Sequence, residues 1–209
     1  MTQSDKHLSV APHAAPRPTL AVVTGRPCSG KSTLARLLAD ALSCSLVSRD
    51  EMYNGILRTA RHASGSGGKE QVSRSAFAAF FRTIGLLLSC DVSFVTEAAF
   101  QNHRWRLGLD PLVAEVNIRI IHSVIDPDLA YQRVIRRHLA RKEARQLAGA
   151  PDQFHAFPLA SFVTRPFEPL SLPVPSLCVR TTDGYDPGLD AILTFVCPRH
   201  PTLATASSD

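Results

Sequence analysis

The sequence predicts an α/β fold, a three-layer sandwich with helices on both faces of a mainly parallel five-stranded sheet. Two observations predict it. From Thr19 onward, five short apolar runs of β-type residues alternate with helix-length stretches, and strands separated by helical crossovers pair in parallel. A glycine-bounded loop, Gly25–Thr33, joins the first of those strands to the first helix. The 209 residues, 44% hydrophobic and 20% charged, suit one such core and are too few for two full domains plus linkers.

Residues 1–18, rich in Pro, His, Ala and Ser, are expected to form a disordered lead-in, 19–200 the domain, and 201–209 a flexible tail. The strand candidates are Leu20–Thr24, Ser45–Ser48, Val92–Thr96, Asn117–Val124 and Ser176–Arg180. The helix candidates are Lys31–Leu42, Glu51–Leu57, Ala76–Ser89, Leu129–Leu147 and Leu189–Val196. Residues 103–115 are ambiguous, because Gly108 and Pro111 interrupt a helical pattern. Arg61–Ser75, with its Ser-Gly-Ser-Gly-Gly run, reads as a mobile loop, and the proline-rich Ala148–Pro175 as an irregular wrap. Phe77, Phe80, Phe81 and Ile84 recur at helical spacing and are expected in the core, as is Trp105.

Several classes are excluded. No apolar run reaches the ~18–20 residues that a membrane helix needs, and no basic start followed by an apolar stretch marks a secretory signal. Five scattered Cys without C-x-x-C spacing suit reduced thiols in a cytoplasmic protein. The eight His form no zinc-type grouping. The formal charge of +5 favours an anionic partner without choosing among them, since Arg133, Arg136, Arg137, Arg141, Lys142 and Arg145 alone supply the surplus.

Gly25-Arg26-Pro27-Cys28-Ser29-Gly30-Lys31-Ser32-Thr33 fits G-x-x-x-x-G-K-S/T between a strand and a helix, the context that a phosphate-binding P-loop requires. Gly25 and Gly30 permit backbone angles and close approaches that a Cβ would block. The loop N–H groups, with the positive end of the following helix, converge on phosphate oxygens. Lys31 can reach the β- and γ-phosphates and Ser32 can ligate Mg²⁺. The expected ligand is a nucleoside triphosphate, and the absence of an N-K-x-D guanine motif leans toward ATP.

Ser48-Arg49-Asp50-Glu51 ends the second strand, at the edge where parallel sheets bind ligands. Asp50 there either accepts a proton from an attacking hydroxyl or caps the helix over 51–57. Glu97, following the third strand, either positions Mg²⁺ through water, contacts the acceptor, or simply ends the strand. His103 and Trp105 follow and can line an acceptor pocket, with Asn102 and Arg104 beside them.

Together the P-loop, SRDE at 48–51 and VTEAAF at 95–100 resemble the small P-loop kinase family of AAA-type ATPases, the zeta-toxin and polynucleotide-kinase-like group that includes chloramphenicol phosphotransferase. The resemblance spans roughly 19–196 and implies a P-loop NTPase fold with an Arg-rich helical lid. It implies Asp50 as catalytic base, Lys31 and Ser32 as nucleotide and Mg²⁺ ligands, and Glu97 as an acidic position that relatives often fill with Asp. Asp126–Arg137 matches the strand exit and lid helix, with Arg133 and Arg137 at positions that reach the transferring phosphate. Thr182, Asp183 and Gly184 match a loop near the adenine. Arg49, Tyr53, Glu97, Phe100 and Arg104 form the candidate acceptor-facing set. One departure counts: the phage end-kinase has an Arg three residues after its base where this chain has Tyr53, which shifts weight from a polynucleotide to a smaller alcohol.

Arg133, Arg137, Arg141 and Arg145 recur every four residues, a cationic stripe on one helix face. The stripe is either a solvated surface or an anion grip whose mutual repulsion a bound phosphate relieves. Three functions are in view. The first is an ATP-dependent kinase acting on a hydroxyl of a sugar, nucleoside or antibiotic. The second is a polynucleotide 5′-hydroxyl kinase, and the third a non-catalytic ATP-binding regulator.

Overall fold

The computed structural model describes residues 17–59, 66–99, 101–147 and 167–198. The elements in chain order are β1 (Thr19–Gly25), α1 (Lys31–Ala41), β2 (Ser45–Ser48), α2 (Arg49–Thr59), α3 (Ser66–Ser89) and β3 (Phe94–Glu97). They continue with α4 (Asn102–Leu109), a 3-10 turn (Asp110–Leu112), β4 (Asn117–Val124), α5 (Pro127–Leu147), β5 (Ser176–Arg180) and α6 (Leu189–Val196). The five strands form one parallel sheet in the order β2-β3-β1-β4-β5.

The three layers follow from alternation along β1. Leu20 and Val22 point into a cluster with Val47, Phe80, Ile84 and Phe94 under α3 and α4. Ala21 and Val23 point the opposite way, to Leu34, Leu38, Ile121 and Ile192 under α1 and α6. Successive strand residues face opposite sides, so one apolar run serves both cores. Each fully buried Leu, Ile or Phe contributes roughly 1.5–3 kcal/mol. A third, smaller cluster of Ile125, Ala130 and Val134 packs against Cys28, tying the base of α5 to the P-loop.

Several boundaries differ from expectation, α5 among them, which starts two residues early at Pro127. α3 begins at Ser66, so 66–75 is helical where the glycine-rich composition suggests a loop; residues 60–65 lie outside the described residues. The reason is a buried stripe at four-residue spacing, Val72-Ala76-Phe80-Ile84-Leu88, which outweighs the glycine cost. α2 starts two residues early, at Arg49, placing Asp50 inside its first turn. β3 starts late, at Phe94, after a turn in which Asp91 has φ 55°. The ambiguous stretch resolves as α4 and the 3-10 turn, with Pro111 inside the latter. Of the proline-rich wrap, 148–166 lie outside the described residues, while 167–175 carry no regular element.

The aromatic expectation holds. Phe77, Phe80, Phe81 and Trp105 stack with ring centroids 4.9–5.6 Å apart. α4 approaches α3 so closely that a Cβ on Gly108 would collide with the Phe81 ring. No described helix is long and apolar enough to cross a membrane.

Candidate active site at the carboxyl edge of the sheet

Neighbouring strands β1 and β3 send their connections in opposite directions, β1 outward to β2 and β3 across to β4. A crevice opens at the carboxyl ends of such a pair. The residues that leave those ends are the P-loop and Glu97, brought level by the register Val23↔Glu97 and Ser48↔Glu97.

The P-loop takes the backbone shape its sequence requires. Gly30 precedes α1 with φ 81° and Cys28 also has positive φ, at 62°, conformations easy for glycine and uncommon otherwise. The half-buried Cys28 is held there by the Ile125–Val134 cluster. A Cβ at Gly25 would strike the Ser123 carbonyl and Ser29 Oγ, so only glycine fits there. Ser29 N donates to Arg26 O at 3.2 Å, closing a turn around the half-buried Pro27, and Thr33 N donates to Gly30 O at 3.0 Å.

The loop is braced from behind. Ser29 O lies 2.5 Å from both Ser123 Oγ and Thr181 Oγ1, and Thr181 N donates to Val124 O at 3.0 Å. Arg133 Nη2 donates to the carbonyls of Thr181 and Thr182 at 3.2 and 3.1 Å. Arg133 therefore ties α5 to the loop after β5 rather than standing free above the cradle. That loop, carrying Thr182, Asp183 and Gly184 on its exposed tip, is closed at its base. There Arg180 and Asp186 exchange backbone bonds at 2.8 and 3.0 Å and pair through their side chains at 2.6 Å.

At the front sits a buried polar knot. Glu97 is 1% exposed and Lys31 6%. Lys31 Nζ lies 3.4 Å from Glu97 Oε1, to which Ser32 Oγ donates at 3.2 Å, and Ser48 Oγ donates to Oε2 at 3.0 Å. A carboxylate this deep needs its charge and lone pairs satisfied, and the three partners do so. Glu97, grouped by sequence with the acceptor-facing residues, is thus held against the nucleotide side. Ser32 Oγ and Glu97 Oε1 are hard oxygen donors of the kind Mg²⁺ takes alongside water and phosphate.

The acceptor-side candidates lie on α2 and α4. Asp50 is half-exposed and pairs with Arg49 Nη1 at 3.2 Å. Arg49 also donates from Nη2 to Ser73 Oγ at 3.0 Å, bridging α2 to α3, and its guanidinium lies 5.3 Å from the Tyr53 ring centroid. The capping alternative for Asp50 gives way: Glu51 N donates to Ser48 Oγ at 3.4 Å, so Ser48 caps α2. Arg104 on α4 and Arg137 on α5 are exposed. Phe100 lies outside the described residues, as do the side chains of Arg141 and Arg145.

Sequence reasoning missed Ser48, Ser123 and Thr181. The first had a signal, since Ser-x-x-Glu before a helix is a capping pattern. The other two act through tertiary placement alone. A strap beside the site was also unread: Asn102 Nδ2 and His103 Nδ1 contact Glu168 at 3.1 and 3.4 Å, and Arg26 lies over the Phe167 ring at 5.6 Å. Hydrogen bonding from Asn102, with His103 beside it, holds the Glu168 carboxyl below its usual range.

Comparison with known proteins agrees with this fold. Residues 20–155 match the family model described as AAA domain, and the chain belongs to that family. It is similar to the solved structure of a “putative kinase” from Chloroflexus aurantiacus, with 26% identity and a TM-score of 0.68, covering 86% of this chain and 97% of that one. A sugar kinase from Janibacter shares the fold at 14% identity and a TM-score of 0.55, covering 88% and 97%. A chain of the Pnkp1/Rnl/Hen1 RNA repair complex does so at 15% identity and a TM-score of 0.50, covering 76% of this chain and 50% of that one. No curated protein matches the sequence. The fold is a kinase-like P-loop fold, as the motifs implied.

Proposed function

We propose that this AAA-domain protein is an ATP-dependent kinase that transfers the γ-phosphoryl group to a hydroxyl of a small molecule of the sugar, nucleoside or antibiotic type. The observation that carries the reading is the shared carboxylate. Glu97 binds Lys31 and Ser32 on one oxygen and Ser48 on the other, and Asp50 follows two residues after Ser48. One cluster therefore joins a phosphate cradle to a helix that presents an exposed carboxylate.

In this reading the P-loop amides and Lys31 bind the β- and γ-phosphates, with Gly25 to Thr33 shaping the cradle. Ser32 and Glu97 would hold Mg²⁺, which when bound would supply neutralising charge on those phosphates. Asp50 orients the acceptor hydroxyl and takes its proton. Arg49, Tyr53, Arg104 and Phe100 shape the acceptor side. Arg137 on α5 grips phosphoryl oxygens, while Arg133 fixes the loop at 181–184, which borders the adenine. α5 acts as a lid that excludes water and limits hydrolysis. The five unpaired thiols support a cytoplasmic location.

Tyr53 in place of a phosphate-binding Arg favours a small acceptor over an oligonucleotide. A panel of alcohols and oligonucleotides incubated with γ-labelled ATP tests the proposal. It predicts label and the mass of one phosphoryl group on an alcohol. Label appearing only on oligonucleotide 5′ ends, or only as inorganic phosphate, would refute it.

A further inference from the structure

We infer that Ser48 is a positioning residue that couples occupancy of the nucleotide side to the helix bearing Asp50. The inference rests on the proposed function in taking Asp50 as the acceptor-side carboxylate. Its observations are separate. Ser48 is 7% exposed and ends β2 in register with Glu97. Its single hydroxyl hydrogen goes to Glu97 Oε2 at 3.0 Å. Its oxygen accepts Glu51 N, in the first turn of α2, at 3.4 Å.

The two oxygens of Glu97 are therefore divided. Oε1 faces Lys31 and Ser32, the groups that bound phosphate and Mg²⁺ engage. Oε2 accepts the hydrogen bond from Ser48. When a ligand draws Lys31 and Ser32 away, the carboxylate turns to its remaining donor, and the charge-assisted bond from Ser48 shortens. A hydroxyl that donates more strongly also accepts more strongly, because linked hydrogen bonds polarise one another. Glu51 N and the first turn of α2 are then held more firmly. α2 is suited to respond, because no residue of it is buried and polar ties fix its N-terminus. A filled cradle thus orders Asp50, and an empty one leaves it looser.

Hydrogen exchange of the full chain tests this by following the peptide over 49–59, with and without Mg²⁺ and a non-hydrolysable ATP analogue. The wild type is expected to slow in the first turn of α2 when the analogue binds. In Ser48→Ala that turn opens about fivefold faster, the factor set by one neutral hydrogen bond, and the response to analogue disappears although the analogue still binds. Ser48→Thr, which keeps the hydroxyl, restores the response. Three results each overturn the inference: no response in the wild type, the wild-type response in Ser48→Ala, or no rescue by Ser48→Thr. No phosphoryl transfer is needed for this measurement. A coupled protein that phosphorylates no alcohol would refute the kinase reading only, and an active kinase whose α2 ignores the analogue would refute the coupling only.

Discussion

The two helices that flank the candidate site are built on opposite plans. α1, which carries the phosphate loop, buries five of its residues, from Lys31 to Ala39, and the loop before it is bolted to Ser123 and Thr181. α2, of the same length, buries none and is tied by the Ser48 cap on Glu51 N, the Arg49–Ser73 bond and the Arg36–Glu51 pair. The phosphate side is thus preorganised by packing, as recognition of an invariant triphosphate requires. α2, on the acceptor side, rests Met52 against the core but buries no residue fully, and its polar bonds lie near the surface, where small changes alter shape at little cost in stability. Specificity in this fold is therefore expected to reside in α2, α4 and the strap at 167–171.

If that contrast is right, substitutions on the packed side cost both fold and function, and those on the polar side cost function alone. The largest combined loss of fold and function is expected at Lys31→Met. Phosphoryl transfer should fall by about 10²–10³, and stability by ~3 kcal/mol, because Glu97 stays buried without its cation. Single-turnover assays and urea unfolding measure the two. Next is Gly25→Ala, whose methyl group collides with Ser123 and Ser29. It should cost about 1–3 kcal/mol, together with ATP affinity measured by titration. Thr181→Val removes the hydroxyl that braces Ser29 O; the expected loss is about 1–2 kcal/mol, recovered by Thr181→Ser in thermal melts.

The smallest effect concerns pH. Burial lowers the pKa of His122, on β4, below 6.5. The unfolded chain then binds a proton that the folded chain resists. Stability contributed by the neutral ring is present above pH 6.5 and is lost as pH falls through the folded value. Melting temperatures from pH 8 to 5 should decline less in His122→Gln than in the wild type.

Much of this was legible in the sequence where one local rule decides. Ser45–Ser48, Asn117–Val124 and Ser176–Arg180 are strands over the expected residues, because short apolar runs flanked by helix-length stretches have few alternatives. The phosphate loop follows from its glycines. The first turns of α3 were hidden, because glycines at 67 and 68 argue locally against a helix that Val72 and Ala76 fix by packing. Glu97 was recognised as functional, but its contacts with Lys31, Ser32 and Ser48 were not, since these residues come from α1 and β2 and only the tertiary fold brings them together. The role of Arg133 was hidden for the same reason, as its acceptors lie 48 and 49 residues away.

The central claim is that a terminal phosphorus on the packed side meets a hydroxyl activated by Asp50 on the polar side. Its most direct test compares wild type with Asp50→Asn in a single turnover, using γ-labelled ATP and an alcohol that the panel identifies. The prediction is a fall in transfer of about 10²–10⁴ with ATP affinity and melting temperature unchanged, since Asp50 is exposed and outside the core. Equal transfer by the two proteins would contradict the account.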